Sequence, residues 1–149
     1  MKKQLLHMAA TLSLFLMLGV AAAAQTTREM TIAIPFDFYV GKTALGAGTY
    51  TVYRMSSTTG DGFMLRSADR RTKVIFNTQS IRSAGAPLGG KVEFRRYEDK
   101  YFLARVWTDG NNIGRELQQS SLERKLARES TRHLAQKDVK PEVVTVSPQ

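Results

Sequence analysis

The stretch KVEFRRYEDKYFLARVW, residues 91–107, contains the clearest β-hairpin of this 149-residue chain. Apolar and charged residues alternate on both sides of a polar centre, which is typical of two half-buried antiparallel strands joined by a short turn. The pattern predicts one strand over 91–97 and a second over 101–107. Because the neighbouring segments alternate in the same way, the hairpin places the chain in the all-β class.

The register of this hairpin depends on the length of its turn. A loop of Asp99 and Lys100 alone would set Phe94 opposite Arg105 and so mix apolar with charged side chains. A loop that also includes Glu98 separates the two kinds of residue. It gives the pairs Val92 with Val106, Phe94 with Ala104, and Glu93 with Arg105. Because a slip of one residue turns every side chain to the other face, we expect the three-residue loop.

Short strands are also predicted on both sides of the hairpin. Apolar residues alternate from Ile32 to Val40, and Pro35 interrupts this segment. Because proline has no N–H to donate, we expect an edge strand or a bulge there. Further strands are predicted over 49–55, 63–67, 72–78 and 115–118. Six or seven such strands predict a small antiparallel sandwich or barrel.

One short C-terminal helix is predicted to follow, because the apolar period changes at Ser120. Ser120 and Glu123 have the spacing of a capping box at a helix N-terminus. Leu122 and Leu126 lie on one side of such a helix, which we expect to end near His133. The rest of its surface carries four basic residues, Arg124, Lys125, Arg128 and Arg132.

The first 24 residues have the order of residues that is typical of a secretory signal peptide. Lys2 and Lys3 precede an apolar segment, and a run of small residues ends at Ala24. We expect cleavage after Ala24 and a periplasmic or extracellular location. The alternative is an uncleaved anchor, since the apolar segment is nearly long enough to span a bilayer. The predicted mature form contains no further apolar segment of that length.

The rest of the chain is predicted to form one β domain over 25–134 and a flexible tail over 135–149. Pro141 and Pro148 lie in this tail, on either side of a cluster of valines. The alternative for residues 142–146 is that they pair as a strand.

The composition excludes several classes of site. The chain has no cysteine, so it can form no disulfide, thiolate metal site or thiol nucleophile. Of its two histidines, His7 lies in the predicted signal peptide, which leaves His133 alone. A Ser-His-Asp triad or a multi-histidine zinc site would need more. We therefore expect no enzymatic activity, no metal and no cofactor.

The charge of the chain is strongly basic, with 22 Lys and Arg residues against 13 Asp and Glu residues and a net charge of +9. Such a balance attracts polyanions. Because export removes the chain from nucleic acid, we expect an anionic polysaccharide or another envelope component as the partner. The alternative is a basic surface that has no dedicated partner.

Several motifs in the chain resemble those of a known family. IPFDFYVG at 34–41 and LGAGTYTV at 45–52 are followed by FRRYEDKYFLARVW at 94–107, GREL at 114–117 and a helical block that ends at Arg128. This series resembles a family of small exported bacterial proteins of unknown function, with the pattern PFDFxVG, LPAGxYxV, FRRYxDxYFLxxVW and GREL. Gly46 departs from it, since the family tends to have proline there. The resemblance implies an exported β domain and no established activity.

The odd-numbered face of the hairpin is the candidate ligand-binding surface. Aromatic rings on it could stack on sugars, and guanidinium groups could bind anionic substituents. The candidate residues are Arg95, Tyr97, Tyr101, Arg105 and Trp107. The alternative is that the C-terminal helix covers this face and the rings form a second layer of core, because large aromatic residues are usually buried.

These observations predict a non-catalytic binding or structural module of the cell envelope, with an anionic glycan or polymer as its ligand. A first alternative is an interaction subunit that pairs with a partner through the edge strand from Ile32 to Val40. A second alternative is a hydrolase that uses two carboxylates, although no spacing in the sequence singles out such a pair.

Overall fold

The computed structural model describes residues 26–55, 62–85, 88–133 and 141–148. The predicted signal peptide and residues 134–140 lie outside the described residues. The elements in chain order are β1 (Thr26–Ile34), β2 (Phe38–Val40), β3 (Thr43–Leu45), β4 (Gly48–Met55), β5 (Gly62–Ser67), β6 (Lys73–Asn77), β7 (Gln79–Arg82), β8 (Lys91–Tyr97), β9 (Lys100–Trp107), β10 (Ile113–Glu116), α1 (Ser121–His133) and β11 (Glu142–Val146).

Two sheets form the fold. The first sheet has the strand order β1-β4-β5-β6, and all its pairs are antiparallel. The second has the order β11-β8-β9-β10-β7, with β2 parallel to β9 and β3 antiparallel to β2. The predicted all-β class with one short C-terminal helix is confirmed, and the architecture is a sandwich and not a closed barrel.

The main core lies between the two sheets and is rich in aromatic side chains. Phe38, Phe63 and Phe94 are each 0% exposed. Phe38 meets Phe94 edge to face at 5.4 Å within the second sheet, and it meets Tyr50 of the first sheet at 5.3 Å. Full burial of each such ring contributes about 2–3 kcal/mol. These contacts hold the two sheets together.

The segment from Ile32 to Val40 is not the single edge strand that the sequence predicted. β1 ends at Ile34 on the edge of the first sheet, and the chain crosses at Pro35 to enter the second sheet as β2. β2 is paired on both sides, with β3 and with β9. The proline that lacks an N–H therefore marks a change of sheet, and only the β1 part of the segment lies at an edge.

The hairpin of β8 and β9 has neither of the two registers considered. Tyr97 pairs with Lys100, so the loop contains Glu98 and Asp99 only, and Glu98 has a φ of +55°. The predicted pairs Val92 with Val106 and Glu93 with Arg105 are confirmed. A bulge then sets Phe94 opposite Leu103, and the predicted pair of Phe94 with Ala104 is wrong.

The bulge makes Ala104 the extra residue of β9. Its carbonyl accepts a hydrogen bond from the backbone N–H of Leu117 at 2.8 Å. Beyond the bulge the side chains of β9 exchange faces, so Leu103 joins the core between the sheets and Tyr101 packs against it. Phe102, predicted as core, lies on the other face of the second sheet, where its ring meets Tyr97.

The predicted cap of the helix is confirmed in one of its two hydrogen bonds. The hydroxyl of Ser120 accepts a hydrogen bond from the backbone N–H of Glu123 at 3.1 Å. The carboxylate of Glu123 does not complete the capping box, because it binds Arg95 on β8.

The prediction of a flexible tail is wrong for Glu142–Val146, which form β11. This strand pairs antiparallel with β8 and sets Val144 opposite Phe94. Val144 and Val146 point inward and pack against the core. Val143, which precedes Val144 and points the other way, is 51% exposed. The alternative of strand pairing is the correct one, because alternate valines can bury one face of the segment.

Candidate functional site

The candidate ligand-binding residues lie on the outer face of the second sheet, with one exception. Tyr101 is on the opposite face, where its ring stacks on Phe36 at 4.0 Å between centroids. Its predicted place on the same face as the other four is wrong, because the bulge in β9 reverses the direction of its side chain. The other four share the outer face. Tyr97 and Trp107 are both 6% exposed, so neither ring is open to a ligand.

A chain of alternating charges crosses this outer face. Lys91 lies 2.7 Å from Glu93, and Glu93 lies 3.3 Å from Arg105. Arg105 and Arg95 both approach the same oxygen of Glu116, at 3.0 and 3.5 Å, and Arg95 lies 2.5 Å from Glu123. We name this the charge ladder, and its members are Lys91, Glu93, Arg105, Glu116, Arg95 and Glu123. Three cations match three carboxylates, so the ladder has no net charge.

The inner end of the ladder is enclosed by α1. The side chains of Arg95 and Glu123 are 12% and 3% exposed. Arg95 also donates to the carbonyl of Leu117 at 3.2 Å, and the hydroxyl of Tyr97 lies 3.4 Å from Glu123 and accepts from Gln119 at 3.1 Å. These bonds offset the cost of removing two charges from water. Burial first, and then the charge of Glu123, raise the pKa of Tyr97.

The outer end of the ladder fixes the ionisation of Glu93. Burial by itself raises the pKa of Glu93, but Lys91, the indole of Trp107 and Arg105 together outweigh it, and the pKa is lowered. The indole N–H of Trp107 lies near enough to act on this pKa, yet it does not reach hydrogen-bond geometry. A carboxyl held ionised in this way is a poor general acid.

Arg105 is likewise held in its charged form. Burial lowers the pKa of Arg105, but its hydrogen bonds and charge contacts with Glu116 and Glu93 raise it further, so the net shift is upward. The guanidinium joins two carboxylates from two neighbouring strands. Its charge is therefore already matched within the protein, and the same is true of Arg95.

The burial of these residues matches the alternative given by the sequence, in which the C-terminal helix covers this face. The rings form a second core layer, over which α1 lies, and the two arginines serve ion pairs between strands and helix. Among the described side chains, each cation of the charge ladder already lies beside a carboxylate, so none of the three is left unmatched for an anionic ligand. The structure brings Arg95, Tyr97, Arg105 and Trp107 together on one face, where the two rings are buried and the two arginines are paired with carboxylates.

A different set of cations is open to solvent. Arg124, Lys125 and Arg128 are exposed on α1, and we name them the helix basic face. Arg124 and Arg128 line both of two shallow clefts, of about 480 and 400 Å³. The single carboxylate nearby is Glu129, 3.9 Å from Lys125 among the described side chains. The sequence predicts these residues on the helix surface without a binding role, although the spacing of Arg124 and Arg128 places both on one side of the helix.

Within the described ranges, no three His, Asp or Glu side chains cluster closely enough to hold a metal ion. No helix in the same part of the chain is both long and apolar enough to cross a membrane. Comparison with protein-family models, with curated proteins and with solved structures finds no match. The family resemblance described above therefore stays a prediction.

Proposed function

We propose that the chain is an exported, non-catalytic β module that binds an anionic polymer of the cell envelope through the helix basic face. The observation that carries this proposal is the contrast between two groups of cations. Arg95 and Arg105 of the hairpin are matched by carboxylates, whereas Arg124, Lys125 and Arg128 face solvent against one glutamate.

The geometry of the helix suits a repeating anion. Arg124 and Arg128 lie about one turn apart, roughly 6 Å along the axis, on the same side of α1. A guanidinium group can bind a carboxylate or a phosphate through two parallel hydrogen bonds. Successive anionic groups of one polymer could therefore occupy neighbouring cations, and their weak contacts would add up.

The net charge of the proposed mature form supports the same partner. Cleavage after Ala24 would remove Lys2 and Lys3 and leave 20 Lys and Arg residues against 13 Asp and Glu residues, and this net charge of +7 would draw polyanions toward the protein over a distance of about a Debye length. Because the charge ladder has no net charge, the exposed cations outside it set the local field. A carboxylated glycan and a phosphorylated envelope polymer share the chemistry that this surface recognises.

The proposal is tested by binding the purified protein to polygalacturonate, with neutral dextran as the matched polymer. Arg124→Gln with Arg128→Gln should weaken binding about tenfold, which corresponds to loss of two contacts of about 0.7 kcal/mol each. Arg70→Gln with Arg71→Gln, on the turn between β5 and β6, removes the same charge elsewhere and should change affinity less than about twofold.

Two outcomes would contradict the proposal. Equal weakening by both double variants would mean that net charge alone, and not the helix basic face, attracts the polymer. Binding that survives an increase in salt from about 50 mM to about 500 mM would exclude an electrostatic interface, because exposed ion pairs are screened over that range.

A further inference from the structure

The strand β6 is the open end of the first sheet. It pairs with β5 on one side, and no other described strand lies beside it. Ile75 in the middle of β6 is 54% exposed, so its side chain lies on the solvent-facing side of the strand. An edge strand of this kind presents unpaired backbone groups to any extended chain that approaches.

The direction of those backbone groups follows from the pattern of backbone hydrogen bonds between β5 and β6. The N–H of Ser67 donates to the carbonyl of Thr72 at 3.0 Å, next to the pair of Arg66 with Lys73. Hydrogen-bonded and non-hydrogen-bonded pairs alternate in antiparallel sheets. The backbone groups of Val74 and Phe76 therefore face β5, and those of Lys73, Ile75 and Asn77 face away from it.

A groove runs along this free side of β6. The chain passes from β6 through Thr78 directly into β7, the outer strand of the second sheet, so the sandwich is open here. The groove has a volume of about 590 Å³, and Val74, Phe76 and Leu117 contribute apolar surface to it. The described residues that line it include no aspartate or glutamate.

The rim of the groove is positively charged. Lys73 begins β6, and Lys42 lies in the turn whose neighbours Gly41 and Thr43 line the opposite wall. Both lysines are exposed. Neither has a carboxylate partner among the described side chains, in contrast to the arginines of the charge ladder. The groove therefore favours a partner that carries negative charge.

We propose that β6 binds an extended, acidic segment of a partner protein as an added strand. Its backbone would pair with the outward groups of Lys73, Ile75 and Asn77, as in other cases of strand addition. Alternate apolar side chains would enter the groove, and the acidic side chains between them would meet Lys73 and Lys42. A second copy of this chain fits less well, because it would bring two strongly basic molecules together.

The probe for the first experiment is a synthetic peptide of about nine residues in which valine and glutamate alternate. In NMR titrations of the whole protein, the amide shifts should cluster at 73–78, and the amides of Ile75 and Asn77 should become protected from exchange. A peptide with lysine in place of glutamate should bind at least about tenfold more weakly. Shifts that centre elsewhere, or equal binding of both peptides, would overturn the proposal.

Backbone pairing is tested by two further peptides, each methylated on alternate backbone nitrogens. Because a strand offers every second N–H to its neighbour, one of the two series should lose binding and the other should keep it. If both methylated peptides still bind, the peptide does not add to β6 as a strand.

Variants separate this site from the helix basic face. Ile75→Pro removes an outward N–H that β5 does not use, and it should abolish peptide binding. Arg124→Gln with Arg128→Gln should bind the peptide as the unchanged protein does, and loss of binding there would overturn the proposal. If Ile75→Pro does not fold, the pair of methylated peptides still decides. Sedimentation that shows a dimer with protected β6 amides would identify a second copy as the occupant and contradict the acidic partner.

Discussion

The indole ring of Trp107 lies directly over Gly114, in the space that a side chain at position 114 would need. A Cβ added to Gly114 would be 2.5 Å from two carbons of the ring. Trp107 is 6% exposed, so the ring has little room to move away. The second core layer is therefore built around the absence of a side chain on β10.

Replacement of Gly114 by alanine should destabilise the protein by about 2 kcal/mol or more, because the ring or the strand must shift. The measurement is the free energy of unfolding in denaturant. Gly85→Ala is the matched control, since a Cβ there meets nothing within 4 Å, and it should change stability by less than about 0.5 kcal/mol. Equal effects of the two changes would contradict the packing described for Trp107.

Removal of Arg95 should show how much the buried end of the charge ladder depends on pairing. Arg95→Ala leaves Glu123 enclosed without its main partner and should cost about 3–5 kcal/mol. Arg95→Met combined with Glu123→Leu removes both charges and should recover most of that loss. The free energies of unfolding of the single and double variants test this. If the double variant is no more stable than Arg95→Ala, the unpaired charge of Glu123 is not what destabilises the single variant.

The acid stability of the protein should depend on Glu93. Its pKa in the folded state lies below the ordinary value of 4.5, so folding favours the charged form. The stability that Glu93 contributes is therefore complete above pH 4.5 and is lost as the pH falls through the lower, folded-state pKa. Glu93→Gln should lower stability at neutral pH by about 1–3 kcal/mol and flatten the decline below pH 4.5. The free energy of unfolding is measured as a function of pH below 4.5. If it falls equally steeply in both proteins, the prediction is wrong.

The contribution of β11 to stability can be tested by substituting two neighbouring valines of this strand. Val144→Asp places a charge against the core beside Phe94 and should destabilise the protein by about 2–4 kcal/mol. Val143→Asp changes an exposed position of the same strand and should cost less than about 1 kcal/mol. Thermal unfolding compares the two. If both variants melt together with the unchanged protein, β11 contributes nothing to the core.

The predicted signal peptide can be tested in intact cells. Mass spectrometry of protein from the envelope fraction should find an N-terminus at Gln25, which follows cleavage after Ala24. Ala22→Tyr with Ala24→Tyr should block processing, because the cleavage site needs small residues at these positions. A cytosolic protein that begins at Met1 would contradict the predicted export.

Much of the fold could be predicted from the local alternation of apolar and polar residues. The predicted register was wrong where contacts between residues distant in sequence set the strand pairing. The outer pairs of the hairpin, such as Val92 with Val106, follow from the apolar pattern alone. The bulge at Ala104 depends on a hydrogen bond with Leu117, whose position relative to β9 no local pattern contains. The faces of Tyr101 and Phe102 could not be assigned without it.

The surroundings of the candidate site could not be predicted for a similar reason. Sequence placed Arg95 and Arg105 on one face correctly, but it could not show which carboxylates would reach them. Glu123 was identified as part of a cap, and its carboxylate instead crosses to Arg95. The matched ladder depends on how helix and sheet pack, whereas the exposed arginines of α1 follow from helical spacing alone.

The chain crosses between the two sheets at Pro35, at residues 46–47 and at Thr78, so neither sheet is built from one continuous length of chain. The first sheet takes β1 and then β4 to β6, and the second takes β2 and β3 and then the strands after Thr78. Neither half can therefore be cut out as an autonomous fragment, and the two layers gain and lose their order together.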